Sequence, residues 1–336
     1  TPSISSGPKT NFIEGKERVK VLTPSGLLSK FKSIWRTYFI GNDIRKEGVD
    51  VYHGLSNEIP RVKYKGKTKY VVTIHDLIFL RFPKTYPWFD RVIYTRKVMH
   101  AVRKADRVVA ISQQTKRDLM LFFEVPEAKI EVIYQACDLS FGVERSTVVK
   151  EEVRKKYNLP ERYLLSVGTL EERKNANLII EALVGIEESV NLVLVGKPTD
   201  YKKKLTQTIE KLGLQKRVHF LENISFQDLP SIYQLAELFV YPSRFEGFGI
   251  PVLEALYSGV PVIAATGSCL EEVGGDASLY VDPEDVEALK NAVNEVLSDA
   301  IKRNEMIEKG HLQAQKFTTE NQARALHLLY QKVSTN

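Results

Sequence analysis

Arg173 and Lys174 stand side by side in the segment Gly168-Thr-Leu-Glu-Glu-Arg-Lys-Asn175. An arginine can fork two phosphate oxygens, and a lysine adds a point charge. A helix opening at Asn175 would add bare N–H donors. Together these groups suit a diphosphate, although on this segment alone two solvated surface cations fit equally well. A second segment runs Tyr241-Pro-Ser-Arg-Phe-Glu-Gly-Phe-Gly-Ile-Pro-Val-Leu-Glu254. Its Gly247-Phe248-Gly249 stretch bares backbone N–H groups, and Pro251 suits a first helical turn. Glu246 falls in the loop, and Glu254 follows one turn into the helix. A loop carboxylate can accept from sugar hydroxyls, and one on the first turn can accept from ribose hydroxyls. Glu254 also suits a plain role complementing the helix dipole; Glu246 in a glycine-rich loop has no such duty. The third candidate is His75, in Thr73-Ile-His-Asp-Leu77 at the end of a predicted strand. His53 follows a strand too and is the weaker competitor. His219 lies within a strand, and His311 and His327 fall late in helical stretches. No DxD, HExxH, CxxC or GxxxxGK[ST] pattern occurs, so no metal site is expected.

The elements that must hold these residues alternate. In the first half, β-branched runs at Val49–Tyr52, Tyr70–Ile74, Arg107–Ile111 and Ile130–Ile133 predict strands. Helical patterns fall between them at about 26–47, 86–104 and 112–123, the last capped by Ser112. The second half predicts strands at Tyr163–Val167, Val190–Val195, Val218–Leu221, Leu238–Tyr241, Val260–Ala264 and Ser278–Val281. Its helices are predicted at 175–186, 200–212, 228–235, 251–258, 284–297 and 299–316, with a last one at 319–333. Near-continuous apolar strands alternating with helices imply parallel sheets covered on both faces. The expected fold is therefore α/β, with two tandem Rossmann-like doubly wound domains facing a cleft. The boundary is expected near 139–150, where the sequence loses its period. Ligands of such sheets sit beyond the C-terminal strand ends, where the candidate residues stand.

Composition narrows the classes further. The chain has 336 residues, 43% apolar and 27% charged, which excludes collagen-like, low-complexity and disulfide-scaffold proteins. Its two cysteines, Cys137 and Cys269, suggest a reducing compartment. No run approaches the roughly 18 apolar residues of a spanning helix. The start, Thr1 to Thr10, is polar, has no signal-peptide core and lacks Met. Charge is uneven: residues 1–145 carry 26 basic and 15 acidic side chains, and 146–336 carry 22 and 27. The basic half points to an anionic partner. Lys30-Phe-Lys-Ser-Ile-Trp-Arg-Thr-Tyr-Phe39 and the run from Arg81 to Lys97 interleave aromatic and basic residues, as interfacial helices do. An anionic membrane surface is the expected partner; a solvated helix with core-packed aromatics is the plainer alternative. Nucleic acid is not expected, because no zinc knuckle, RNP motif or repeat code is present.

With these residues in view, the chain resembles the GT-B glycosyltransferases of retaining family 4 (group 1), and more narrowly the bacterial mannosyltransferase-type members. The resemblance is carried by the Glu246–Glu254 spacing, the Gly168–Asn175 segment, His75-Asp76, Ala110-Ile-Ser112, Val132-Ile-Tyr134 and Glu272-Val-Gly-Gly-Asp-Ala277. It implies a metal-independent hexosyltransferase acting with net retention. Arg173 and Lys174 would hold the donor diphosphate. Glu254 would bind the ribose and Glu246 the transferred hexose. The backbone at Gly247, Phe248, Gly249 and Ile250 would contact sugar hydroxyls and phosphate, and His75 would line the catalytic centre. No separate cofactor is implied. The donor would be a nucleoside-diphosphate sugar, with GDP-mannose favoured over UDP-hexoses. The acceptor would be a saccharide or lipid-linked saccharide in lipopolysaccharide or capsule assembly. The protein would be cytoplasmic, at the inner face of the membrane. The domains would be an acceptor-side unit at 1–145, a nucleotide-sugar unit at 146–318, and a helix at 319–336 crossing back to the first. The family's usual first strand and glycine-rich loop do not appear, so the first domain reads as truncated. Two other readings stand beside it: a non-hydrolysing sugar-nucleotide epimerase, which shares the twin-sheet plan, and, as the non-enzyme alternative, a sugar-nucleotide-binding subunit or scaffold without catalysis. A basic-faced membrane-binding protein without catalysis is the third.

Overall fold

The computed structural model describes residues 21–24, 26–62 and 66–335. The polar start at Thr1–Thr10 lies outside the described residues. One compact unit is formed within residues 1–50 and 60–68. The pattern over 26–47 predicted one helix, but the chain breaks into a 3-10 turn (Gly26–Lys30), α1 (Lys32–Ile34), a π turn (Trp35–Phe39) and α2 (Ile40–Lys46). The break has local causes. Thr37 Oγ1 donates back to the Ser33 carbonyl at 2.9 Å, a bond that bends helices. The Trp35 indole reaches Asp43 at 3.1 Å.

The second unit, 51–59 and 69–336, contains two wholly parallel sheets. The first pairs β1 (Val51–Gly54), β2 (Lys69–Ile74), β3 (Arg107–Ala110) and β4 (Ile130–Val132) in sequence order. Its connecting helices are α3 (Ile78–Arg81), α4 (Trp88–Lys104) and α5 (Gln113–Phe123). The Ser112 hydroxyl caps α5 by accepting from the Thr115 N–H. His53 does not follow β1, as the sequence suggested, but lies within it.

The second sheet holds β5 (Tyr163–Val167), β6 (Asn191–Val195), β7 (Val218–Leu221), β8 (Leu238–Tyr241), β9 (Val262–Ala265) and β10 (Ser278–Val281). Its order is β10-β9-β8-β5-β6-β7. Chain progress reverses between β5 and β8, which pair through Leu164 with Leu238 and Leu165 with Phe239. That reversal is a topological switch point, where the loops after two neighbouring strands part and leave a crevice. The helices are α6 (Thr147–Tyr157), α7 (Ala176–Leu183), α8 (Tyr201–Leu212), α9 (Leu229–Gln234), α10 (Ile250–Tyr257), α11 (Leu270–Gly274), α12 (Val286–Ser298), α13 (Ala300–Ala314) and α14 (Thr319–Ser334). Both sheet faces are buried. Tyr163, Leu165, Phe239 and Tyr241 enter one core, and Leu164, Leu238 and Val240 enter the other. This alternation is why the strands read as continuous apolar runs. α14 lays Leu329 and Val333 on Val71, Val109 and Ile133 of the first sheet.

Candidate active site

The switch point brings the two chemistry-bearing segments together. The loop after β5 carries Arg173 and Lys174 on a short 3-10 turn, Glu172–Lys174. The loop after β8 carries Glu246. Glu246 Oε1 accepts from Lys174 Nζ at 2.6 Å, Ser243 Oγ at 2.6 Å and the Tyr241 hydroxyl at 3.1 Å. Arg173 Nη1 lies 2.9 Å from the same oxygen and also donates to the Phe245 carbonyl. Arg173 Nη2 pairs with Glu171 at 2.5 Å. Lys174 further donates to the Tyr241 hydroxyl at 2.6 Å. Glu246 is 7% exposed. Burial works to raise its carboxyl, but Lys174 and Arg173, with bonds from Lys174 and Ser243, outweigh that and hold it below the usual carboxylate range. It is therefore an ionised buried group matched by two cations. Among the described residues no donor meets its second oxygen, Oε2.

The glycine-rich loop gives α10 its start. Gly249 has φ +107°, a conformation that side-chain-bearing residues rarely adopt. Gly247 is required for another reason. A Cβ there would lie 2.4 Å from the His75 carbonyl oxygen and 3.0 Å from Asp76 Cβ. The Phe248 ring is buried against Tyr134 and Phe317, leaving its N–H as the group available for ligand work. Among the described residues no acceptor meets the N–H groups of Gly247, Phe248, Gly249 or Ile250. The buried Cys269 thiol holds the loop from below, with its sulfur 3.1 Å from the Glu246 and Phe248 carbonyls.

His75 follows β2 and meets this loop through its backbone. Its Nε2 lies 2.7 Å from the Leu55 carbonyl, so it donates there, and Nδ1 then accepts from Gln135 at 3.2 Å. That pairing turns both ring nitrogens to protein partners. The competitor His53 is tied to the Tyr330 hydroxyl at 2.6 Å and to Thr73 at 2.8 Å, and burial pushes it down to about 4. Glu254 stands apart from the Glu246 cluster. Its Oε2 accepts from Tyr233 at 2.8 Å, and burial pushes its carboxyl up to about 7.

Several groups in this site were not singled out from the sequence. Tyr241 and Ser243 lie inside the segment read as functional, but only the loop's turn aims their hydroxyls at Glu246. Asp76, beside Gly247, has its carboxyl raised by burial against a bond from the Ile78 N–H and the Arg173 charge. Among the described residues no group of three or more His, Cys, Asp or Glu converges as metal ligands would.

With this geometry in place, the comparisons are consistent with one another. The family profile of glycosyl transferases group 1 matches residues 149–313, and that of glycosyltransferase family 4 matches residues 4–141. The O-antigen chain mannosyltransferase B of Escherichia coli is 32% identical over 277 residues, 81% of this chain and 71% of that one. The O-antigen chain mannosyltransferase RfbU of Salmonella typhimurium is 32% identical over 234 residues. That match covers 69% of this chain and 62% of RfbU, just under two thirds of its length. Anabaena HepE, solved with UDP and glucose, superposes with TM-score 0.72 at 20% identity, covering 94% of this chain and 84% of HepE. The chain belongs to the group 1, family 4 glycosyltransferases, and its two parallel sheets with their helices have the GT-B fold.

Proposed function

We propose that this protein moves a hexose, mannose in first place, from a nucleoside-diphosphate sugar to a saccharide or lipid-linked saccharide, with retention and without a metal. The observation that carries the reading is the convergence of Arg173, Lys174 and Glu246 beside the unpaired amides of Gly247–Ile250 at the switch point. Breaking a sugar–phosphate bond builds negative charge on the departing diphosphate. Two fixed cations and a set of bare N–H groups are suited to stabilise it, each donor being typically worth about 3–4 kcal/mol. Glu246 Oε2 would accept from hexose hydroxyls, and Glu254 from the ribose. His75, held at the loop, would line the sugar's side of the centre.

The sugar is inferred from the relatives' names, both O-antigen mannosyltransferases. GDP-mannose is therefore the favoured donor, and a UDP-hexose is second because HepE was solved with UDP and glucose. Those names favour neither an epimerase nor a non-catalytic subunit. On this reading residues 1–145 serve the acceptor, 146–318 bind the donor, and the helix at 319–336 returns to the first part. Trp88, Phe89 and Ile93 of α4 are exposed, at 62, 73 and 50%, near the exposed Lys84 and Arg96. That surface suits an anionic headgroup layer and supports a peripheral position at the cytoplasmic membrane face. No helix of the described residues is long and apolar enough to cross a membrane.

The test is transfer from GDP-mannose and UDP-glucose to a lipid-linked saccharide in EDTA, with the first-formed product read by NMR. Transfer with the donor's anomeric configuration is expected. An inverted product, or a rate abolished by EDTA and restored by a divalent cation, would refute retention or metal independence respectively.

A further inference from the structure

We propose that Glu272 is a positioning residue: it fastens the N-terminus of α5, which belongs to the first sheet, against the glycine-rich loop after β8. It would thereby set how His75 meets that loop, and its effect on turnover rests on the transferase reading above. Glu272 lies on α11, after β9. Its Oε2 accepts from the Gln113 N–H at 2.7 Å and its Oε1 from the Gln114 N–H at 2.9 Å. These are the first two residues of α5, whose opening amides have no partner within the helix. The carboxylate thus meets two bare donors and the positive end of the helix dipole, with its side chain only 15% exposed.

The same helical turn grips the catalytic loop. Ser112 Oγ donates to the Gly247 carbonyl at 2.7 Å. Thr115 Oγ1 lies 3.3 Å from that carbonyl and 3.4 Å from the His75 carbonyl. Behind Glu272, Gln313 Nε2 of α13 donates to the Glu272 and Val273 carbonyls at 3.2 and 3.1 Å. A continuous path therefore runs from α13 through Glu272 and the α5 N-terminus to Gly247 and His75. Arg173, Lys174, Glu246 and Glu254 make no contact with Glu272. Its loss should therefore lower turnover more than it weakens nucleotide binding, the loop amides being only some of the groups a diphosphate would meet.

The backbone offers a specific probe. Gln113 is the first residue of α5, where proline is well tolerated. The preceding Ser112 is extended, with φ −156° and ψ 163°, as a residue before proline must be. Gln113→Pro deletes one of the two amides that Glu272 binds, and Gln113→Ala, which keeps the amide, is its reference. Glu272→Ala removes the carboxylate, and Glu272→Gln retains one acceptor oxygen should the alanine variant fail to fold.

The experiment measures turnover, calorimetric Kd for GDP and UDP, and amide exchange over 112–119 and 252–254, all on the full chain; the Val252 and Leu253 amides bond back to the Gly249 carbonyl and so report the loop. Glu272→Ala is expected to slow turnover about 10- to 100-fold, the scale of a small misplacement of reacting groups, with Kd changed far less than turnover. Gln113→Pro should be slowed relative to Gln113→Ala. The double variant should be no slower than the slower single one, because both remove the same contact. Exchange over 252–254 should quicken in Glu272→Ala. Equal turnover in Gln113→Pro and Gln113→Ala, or unaltered loop exchange in Glu272→Ala, would overturn the proposal. If the parent protein transfers no sugar, the transferase reading fails by itself, and exchange over 252–254 still decides the positioning role.

Discussion

Glu254→Gln has a pH signature that can be worked out from the structure. The carboxyl is pushed from its ordinary 4.5 up to about 7 because burial disfavours the charged form. The folded protein thus holds this proton more tightly than the unfolded chain. Stability from this group is fully present below about pH 4.5 and is lost as pH rises through about 7. A difference of that size corresponds to about 3 kcal/mol, at about 1.4 kcal/mol per pK unit, and partial exposure reduces it to about 2–3. Glutamine cannot ionise but keeps an oxygen for the Tyr233 hydroxyl, which donates to Glu254 at 2.8 Å. The variant should therefore escape the loss. Guanidinium unfolding of both proteins at pH 5, 6, 7 and 8 reads the effect directly, since every other titrating group cancels in the difference. The parent should fall behind the variant by about 2–3 kcal/mol across that range. If Glu254 accepts from ribose, GDP or UDP should also bind the parent more tightly as pH rises past 7, and the variant should show no such trend. Parallel stability curves from pH 5 to 8 would refute the argument.

Two further outcomes follow from the same site. Lys174→Ala should slow transfer about 100-fold or more, because on the proposed reading it removes a cation aimed where the leaving group's charge develops. An unchanged turnover number would remove Lys174 from the chemistry. Gly247→Ala should cost about 1–3 kcal/mol in a denaturation experiment and also depress turnover, since its Cβ would fall 2.4 Å from a backbone oxygen that cannot swing aside. A variant as stable and as active as the parent would show that the loop and His75 do not need this close approach.

The strands and most helices are legible in the sequence because local signals and tertiary burial agree. Tyr163–Val167 and Leu238–Tyr241 read as buried parallel strands, and they are buried on both faces. The region near 139–150 reads as aperiodic, yet α6 begins at Thr147, with Ser146 capping it by accepting from the Val149 N–H. The cap signal was present; the mixed Val-Val-Lys-Glu-Glu-Val face hid the period. Strand order is not legible at all, and it is strand order that puts β5 beside β8 and so Lys174 beside Glu246. Glu272 was visible as part of a motif, but no local signal links it to amides 158 and 159 residues away. His53 looked like a cleft residue only because β1 was placed two residues early; within the strand it becomes a packed group under α14.

The arrangement of Arg173, Lys174 and Glu246 also bears on how a donor would enter. Two cations, Arg173 and Lys174, face two carboxylates, Glu246 and Glu171, so this cluster is neutral as it stands. A buried carboxylate with both cations removed would be costly, so Glu246 preserves the cations' geometry and they preserve its charge. On the proposed reading an incoming diphosphate would compete for those cations, with the bare amides of Gly247–Ile250 offering it further donors. Ser243 and Tyr241, which donate to Oε1 at 2.6 and 3.1 Å, would stay with Glu246 if the cations turned outward. Their hydroxyls would keep Oε1 hydrogen-bonded and the carboxylate aimed, leaving Oε2 for a sugar hydroxyl on the proposed reading. On that reading the site is organised around an exchange of partners, with Ser243 and Tyr241 as the donors that the diphosphate does not draw away.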